Sequence, residues 1–274
     1  MNRTEILTRG TGLDGEHILA LAEGVRTLVL ATGAMGSRGL TTALTRFQPG
    51  ATLPYHKHEF SEVIVVLEGE ADVTVEGRTY RVTPFDALHL PQGTAHTVRN
   101  PHQTKPALLH SSFASDVPTR EAVEATFPAS QRIATGPDCP ESLVRFATSA
   151  VYELAPQSMF RDLFAKRFGS KGVCGGYGVF APGSSLPCHV HGYDESITIV
   201  EGTAICQVAG KEYEVGGYDT ACIPTGRPHR FLNRSQKPMA MVWVYAGDEP
   251  DRTIIDSGYC EGLRPMSELS SAST

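Results

Sequence analysis

The sequence predicts an all-β protein made of two tandem barrels joined by a partly helical connector. Three observations carry this expectation: a turn-rich composition, an internal repeat through most of both halves, and short β-branched runs between evenly spaced turn formers. The chain has 274 residues, with 27 Gly, 18 Pro and 41% hydrophobic residues. That length accommodates two cores of about 130 residues each. The composition is that of a folded globular protein, neither disordered nor fibrous.

The repeat organises the rest. Sliding the chain by 133 positions sets Pro49 on Pro182 and Asn100 on Asn233, and 20 of the 52 aligned positions are identical without a gap. The identities are mostly turn formers and potential ligands, among them Gly69/Gly202, Asp86/Asp219, Pro91/Pro224 and Gly93/Gly226. The same offset sets "GSRG" on "GSKG" and "ALLHSSF" on "AMVWVYA". Within a repeat, "SEVIVVLEGEADVTVEGRTYRVTPFDALHLPQGTAHTVRN" is punctuated by Gly69, Gly77, Pro84 and Gly93 at hairpin-like intervals. Many short strands with evenly spaced turns point to a sandwich or a barrel.

The connector, from about Asp116 to Pro156, reads differently. Two helices are expected there. One spans 119–125 with Thr119 as N-cap, and the other spans 140–154 with Leu143, Phe146, Val151 and Leu154 at helical spacing. The boundary falls near Gly136, giving an N-terminal domain over 1–135 and a C-terminal domain over 136–274. The end, "MSELSSAST", reads as a frayed tail.

The net charge is -6 and no block of like charge occurs, which excludes a phosphate-backbone surface and so a nucleic-acid partner. No apolar run approaches the ~18 residues of a membrane span, and the N-terminus lacks the apolar segment of a signal peptide. The expectation is a cytoplasmic protein without a membrane partner. Its six cysteines, Cys139, Cys174, Cys188, Cys206, Cys222 and Cys260, have no CxxC spacing and read as reduced structural thiols.

Side chains alternate across a strand, so His56, His58 and Glu62 project to one side if the strand is regular. His96, after the turn "LPQGTAH", can close the set from a neighbouring antiparallel strand. His189, His191, Glu195 and His229 repeat all four positions. Three neutral imidazoles and one carboxylate suit a divalent transition metal with one or two positions left open. A structural zinc site would favour thiolates, and no cysteine is spaced to contribute.

The pattern Gly50-x5-His56-x-His58-x3-Glu62-x6-Gly69, followed by Pro91-x-Gly93-x2-His96-x3-Asn100, resembles the paired motifs of the cupin superfamily. Gly183 to Gly202 and Pro224 to Asn233 repeat both, so the chain resembles a bicupin. The resemblance implies two double-stranded β-helix, or jelly-roll, barrels, each with a metal inside its mouth. It also implies a homodimer formed through sheet edges. One departure is visible: Phe85 and Tyr218 stand before Asp86 and Asp219, where the family usually has glycine.

A 2+ ion with one carboxylate ligand leaves a formal charge of about +1, which favours a small oxygenated anion as substrate. With Fe, Mn, Ni or Cu the site could bring substrate and dioxygen together, as in cupin dioxygenases similar in architecture to quercetinase. With Mn or Zn it could serve a Lewis-acid isomerase, lyase or hydrolase. Dioxygenase-type oxidoreductase chemistry is the leading expectation, and a non-catalytic small-molecule-binding bicupin is the third.

Positions that differ between the repeats are His110/Trp243, His89/Cys222, Tyr55/Cys188 and Arg99/Leu232. His110, on the expected last strand, is the candidate catalytic acid or base if it faces the cavity; otherwise it is a satisfied core histidine. His89 and Trp243 read as core, and Tyr55 and Cys188 as packing residues turned away from the metal.

Overall fold

Four antiparallel sheets make up the computed structural model, which describes residues 3–15, 18–124, 126–129 and 140–269. Strands are numbered in chain order. In the first half a seven-stranded sheet runs β13 (Ser142–Val144), β9 (Ala87–Leu90), β6 (Glu62–Glu68), β11 (Ala107–Phe113), β4 (Thr41–Phe47), β3 (Val25–Ala31), β2 (Leu19–Ala22). Its five-stranded companion runs β12 (Glu121–Ala122), β5 (Thr52–Lys57), β10 (His96–Arg99), β7 (Ala71–Val75), β8 (Arg78–Val82). Phe47, Ile64, Val66, Val73, Tyr80 and Val98 fill the core between them.

The second half repeats the arrangement. Its seven strands are β1 (Ile6–Thr8), β21 (Thr220–Ile223), β18 (Glu195–Glu201), β23 (Met239–Tyr245), β16 (Cys174–Phe180), β15 (Ser158–Phe164), β14 (Tyr152–Ala155). Its five are β20 (Lys211–Gly216), β19 (Thr203–Val208), β22 (His229–Leu232), β17 (His189–Val190), β24 (Thr253–Ile254).

A third core lies where the two seven-stranded sheets pack on each other. β6 sends Ile64 and Val66 into its own barrel and Val63 and Val65 to this interface, against Tyr177, Val242 and Val244 of the second half. A strand buried on both faces is apolar throughout instead of alternating, which explains the run "VIVVL". A polar seam crosses the same interface, with Thr42 Oγ1 and Ser196 Oγ 2.9 Å apart.

Each half also completes the other's sheet. β1 pairs with β21 and β13 pairs with β9. Equivalent contacts hold the two arms. Arg9 donates to Asp219 at 2.6 Å and Arg145 to Asp86 at 2.7 Å, while Glu5 accepts from Arg227 and Glu141 from Arg78, each at 2.6 Å.

Several expectations are corrected. The helix expected over 119–125 is replaced, through residue 124, by extended chain with β12; residue 125 lies outside the described residues. The helix expected over 140–154 is replaced by β13, a 3-10 turn at Phe146–Thr148 and β14. Pairing with sheet strands, β13 with β9 of the other barrel and β12 with β5 and β14 with β15 of their own, overrides a local periodicity that was only roughly helical. The boundary at Gly136 lies outside the described residues. Helix instead appears as two short pieces near the end, α1 (Ser257–Glu261) and α2 (Met266–Leu269), the latter within the segment read as a frayed tail.

The expectation of six reduced thiols is also corrected: Cys188 and Cys260 form a disulfide with Cα atoms 5.9 Å apart. The fold brings them together across a sequence separation of 72, which spacing alone cannot show. Cys174, Cys206 and Cys222 are free and buried, and Cys139 lies outside the described residues.

Phe85 and Tyr218 take φ of 64° and 69°, so they adopt the left-handed backbone that glycine normally supplies. Both rings reach across to the opposite barrel. Phe85 packs 4.6 Å from Tyr177, and the Tyr218 hydroxyl donates to Glu68. No helix among the described residues is long and apolar enough to cross a membrane.

Candidate metal centres

His56, His58, Glu62 and His96 come together in the first barrel, and His189, His191, Glu195 and His229 in the second. All eight are buried, and in each group one donor atom per residue lies within 4.8 Å of the others. The route to this geometry differs from the single regular strand expected. His56 lies one residue before the end of β5 in the five-stranded sheet, the chain turns at 58–61, and Glu62 opens β6 in the other sheet. The ligands therefore gather where the chain changes sheets. His96 sits opposite His56 in register and His229 opposite His189, which sets imidazoles of adjacent strands 4.2 and 4.4 Å apart.

Every imidazole is oriented by a backbone carbonyl. The Nδ1 atoms of His56, His58 and His96 lie 2.8, 2.6 and 3.0 Å from the carbonyls of Pro54, Thr119 and Thr94. Those of His189 and His229 lie 2.7 and 2.9 Å from Pro187 and Arg227, and His191 is held by Asp251. A carbonyl only accepts, so each Nδ1 carries the proton and each Nε2 lone pair points to the cluster. Fixing the tautomer in this way is what metal-ligating histidines require. Nε2 of His58 and of His191 is buried without a hydrogen bond, although each lies within 3.2 Å of its cluster's carboxylate. Such atoms fit a divalent ion at the centre of each group.

The electrostatics agree with this state at His56 and Glu62. Burial, helped by the neighbouring His96, lowers the His56 pKa to about 3 and keeps that ring neutral. Burial opposes ionisation of Glu62, but the adjoining imidazoles of His58 and His96 hold its carboxyl well below the usual range. At His58 burial is outweighed, chiefly by Glu62, so the pKa of that ring is raised.

A strap after each barrel's last long strand carries residues that the sequence reading missed. Thr119 and Asp251, whose carbonyls orient His58 and His191, occupy the same place in Asp116-x-Pro118-x-Arg120 and Asp248-x-Pro250-x-Arg252. The two straps repeat at an offset of 132 instead of 133, so an ungapped comparison passes over them. Each pairs with its ligand strand, Ala122 opposite His56 and Ile254 opposite His189. The leading aspartates hold the "GSRG" and "GSKG" loops through the Gly39 and Gly172 N–H groups. Arg120 and Arg252 line the two cavities.

The expectation that His110 is catalytic is corrected. β11 alternates, so Ser111 and Phe113 face the first cavity and His110 faces the other barrel, with Nε2 3.3 Å from Thr198 Oγ1. His89 likewise faces away from the cluster, its strand neighbours Leu88 and Leu90 pointing inward. Tyr55 packs 5.1 Å from Phe127. Trp243, read as core, is buried in the core of the second barrel and also lines its cavity.

The cavities measure about 340 Å³ in the first barrel and about 300 Å³ in the second. The first is lined by Leu21, Val29, Leu53 and Phe113 together with the hydroxyl-bearing Thr27, Thr41, Thr45 and Ser111. The second is aromatic, with Phe160, Trp243 and Tyr245.

A family model described as Cupin domain matches residues 43–113 and 176–245, once in each half. Germin-like protein subfamily 2 member 4 of Arabidopsis thaliana is 31% identical over 125 residues, which make up 43% of this chain and 52%, about half, of that protein's length. A deletion mutant of Bacillus subtilis oxalate decarboxylase is similar in structure with a TM-score of 0.75 at 16% identity, covering 100% of this chain and 84% of that one. A structure from work on the Mn(II) centres of the same B. subtilis protein gives 0.73 at 16%, covering 93% and 80%. At such identity these structures show a shared fold.

Proposed function

The chain belongs to the cupin family, with a cupin domain in each half, and from that premise we propose a metal-dependent enzyme that acts on a small oxygenated organic anion by dioxygenase-type chemistry. The observation that carries the reading is the preset donor set of three Nε2 atoms and one ionised carboxylate, repeated in both barrels. A divalent Fe, Mn, Ni or Cu ion held by these residues would supply a place for the substrate anion and dioxygen to meet. The protein's part is to orient the ligands, exclude bulk water and offer an anion a site of net positive charge.

Among the residues lining the first cavity, no carboxylate or imidazole stands beyond the ligands themselves. Chemistry that depends on a side chain shuttling protons has no carrier there, which favours direct meeting of substrate and dioxygen. The second reading, a Lewis-acid lyase, is favoured by the Tyr152–Asp162 pair lining the second cavity, with a hydroxyl-to-carboxylate distance of 2.6 Å. Its reaction class is also that of oxalate decarboxylase, whose name implies action on oxalate.

Elemental analysis of protein purified without added metal, with oxygen uptake on trial enols and phenols, separates the two. Fe, Cu or Ni with uptake is expected. Tightly held Zn without uptake would contradict the dioxygenase reading.

A further inference from the structure

The two metal clusters match, yet the cavities above them do not. On β16, Gly176 and Gly178 stand where β4 has Ala43 and Thr45. A Cβ at Gly176 would collide with the Arg161 carbonyl oxygen of the neighbouring strand and lie 2.9 Å from the Trp243 ring, and one at Gly178 would lie 2.8 Å from the Phe160 ring. Contacts that short force a shift, so the missing side chains leave room for the Arg161 carbonyl and for two aromatic rings on the inner wall. Glycine in a strand interior has a cost in stability, and close approach of another group is a usual reason for it.

Trp243 and Phe160 line the cavity that ends on His189 and Glu195. Trp243 is 4% exposed, and its Nε1–H has no acceptor among the described residues. An indole N–H buried in a core normally finds a partner, so this donor suits a ligand acceptor. The acids beside it are already engaged: Asp162 accepts from Tyr152 and pairs with Arg167, and Asp251 accepts the Gly192 N–H at 2.8 Å. Arg252, on the strap, lines the same cavity, and no hydrogen bond or ion pair holds its guanidinium among the described residues. A cavity of about 300 Å³ lies at the small end of ligand clefts, a size suited to one ring.

We propose that the second cavity binds a single-ring aromatic carboxylate bearing a further oxygen. The ring packs on Phe160 and Trp243, the carboxylate meets the Arg252 fork, and an oxygen accepts from Trp243 Nε1. The first cavity, lined by aliphatic side chains, threonines and Phe113 without an indole donor or a facing pair of rings, does not take this ligand. The inference rests on the proposed function only in directing the ligand's further oxygen to the metal cluster.

The test is calorimetric titration of the purified full chain, with its metal, using 2-hydroxybenzoate, cyclohexanecarboxylate and oxalate as probes. Trp243 is the chain's one tryptophan, so its fluorescence reports on the same site. The expected result is one site per chain for 2-hydroxybenzoate, bound more tightly than either other probe, with a change in Trp243 emission. R252Q should weaken binding about 10- to 100-fold, and W243F, which keeps a ring and loses the donor, about 2- to 12-fold. R252K should restore part of the loss, and R120Q, in the other cavity, should bind as wild type. Unchanged affinity in R252Q, a preference for oxalate, or loss of the site in R120Q would overturn the proposal. Because binding is read without turnover, a bound aryl acid that supports no oxygen uptake would count against the dioxygenase reading alone. Oxygen uptake on an anion indifferent to Arg252 and Trp243 would count against this pocket alone.

Discussion

Six carbonyl-to-Nδ1 contacts do at the residue scale what the ligand spacing cannot do by itself. Spacing identifies His56, His58, Glu62 and His96 and their counterparts, because four ligand types repeated at one offset are improbable unless they share a role. It does not reveal which nitrogen faces the ion, since Thr119 and Asp251 lie about sixty residues from the histidines they orient. His110 makes a separate point. Its type suggested acid–base chemistry, but the strand's alternation sends it to the barrel interface, where burial alone lowers its pKa to about 4. The unfolded chain binds a proton near 6.5 while the folded chain resists it, so stability is undiminished above 6.5 and falls as pH drops from 6.5 to about 4. The loss from this one residue should reach roughly 3 kcal/mol at the lower end. Denaturant unfolding of wild type and H110Q across that range should give a shallower pH dependence for the variant; parallel curves would contradict the assignment.

The strands and turns at the scale of elements were legible wherever an element depends on its own residues. Gly69, Gly77 and Gly93, expected as turn formers, all take positive φ. The connector was misread because its strands exist only by pairing with distant or later strands: β13 with β9 of the other barrel, β12 with β5 and β14 with β15. A cue was nonetheless present: Glu5-x-Leu7-x-Arg9 recurs as Glu141-x-Leu143-x-Arg145, with strand alternation and an offset of 136. The disulfide belongs to this scale too. Cys188 precedes the ligand His189, and Cys260 lies on α1, just beyond the strap strand β24. Tyr55 takes the place of Cys188 in the first barrel and packs on Phe127. The C188S/C260S protein should therefore lose about 2–4 kcal/mol of stability and hold metal less tightly in the second centre, leaving the first unchanged. Chelator-release rates resolve the two centres; equal loosening of both would contradict a local role for the bridge.

For the whole molecule, the repeat made two barrels readable but not their union. The interface requires strands apolar on both faces, such as β6 with Val63 and Val65, and a continuous apolar run does not say which partner covers it. Arms that complete each other's sheets and a shared core should make the halves interdependent. Fragments 1–135 and 136–274 expressed apart should aggregate or expose apolar surface to a dye, and recover on mixing; two soluble, cooperatively unfolding fragments would contradict this.

Nearly matching clusters in such a union imply two metal centres per chain, each prepared by its own strap and carbonyls. Elemental analysis of the wild type, H58A and H191A measures this most directly. Two ions per chain in the wild type and one in each variant, with the remaining ion in the unaltered barrel, is the predicted result. Full metal content in both variants would contradict the account.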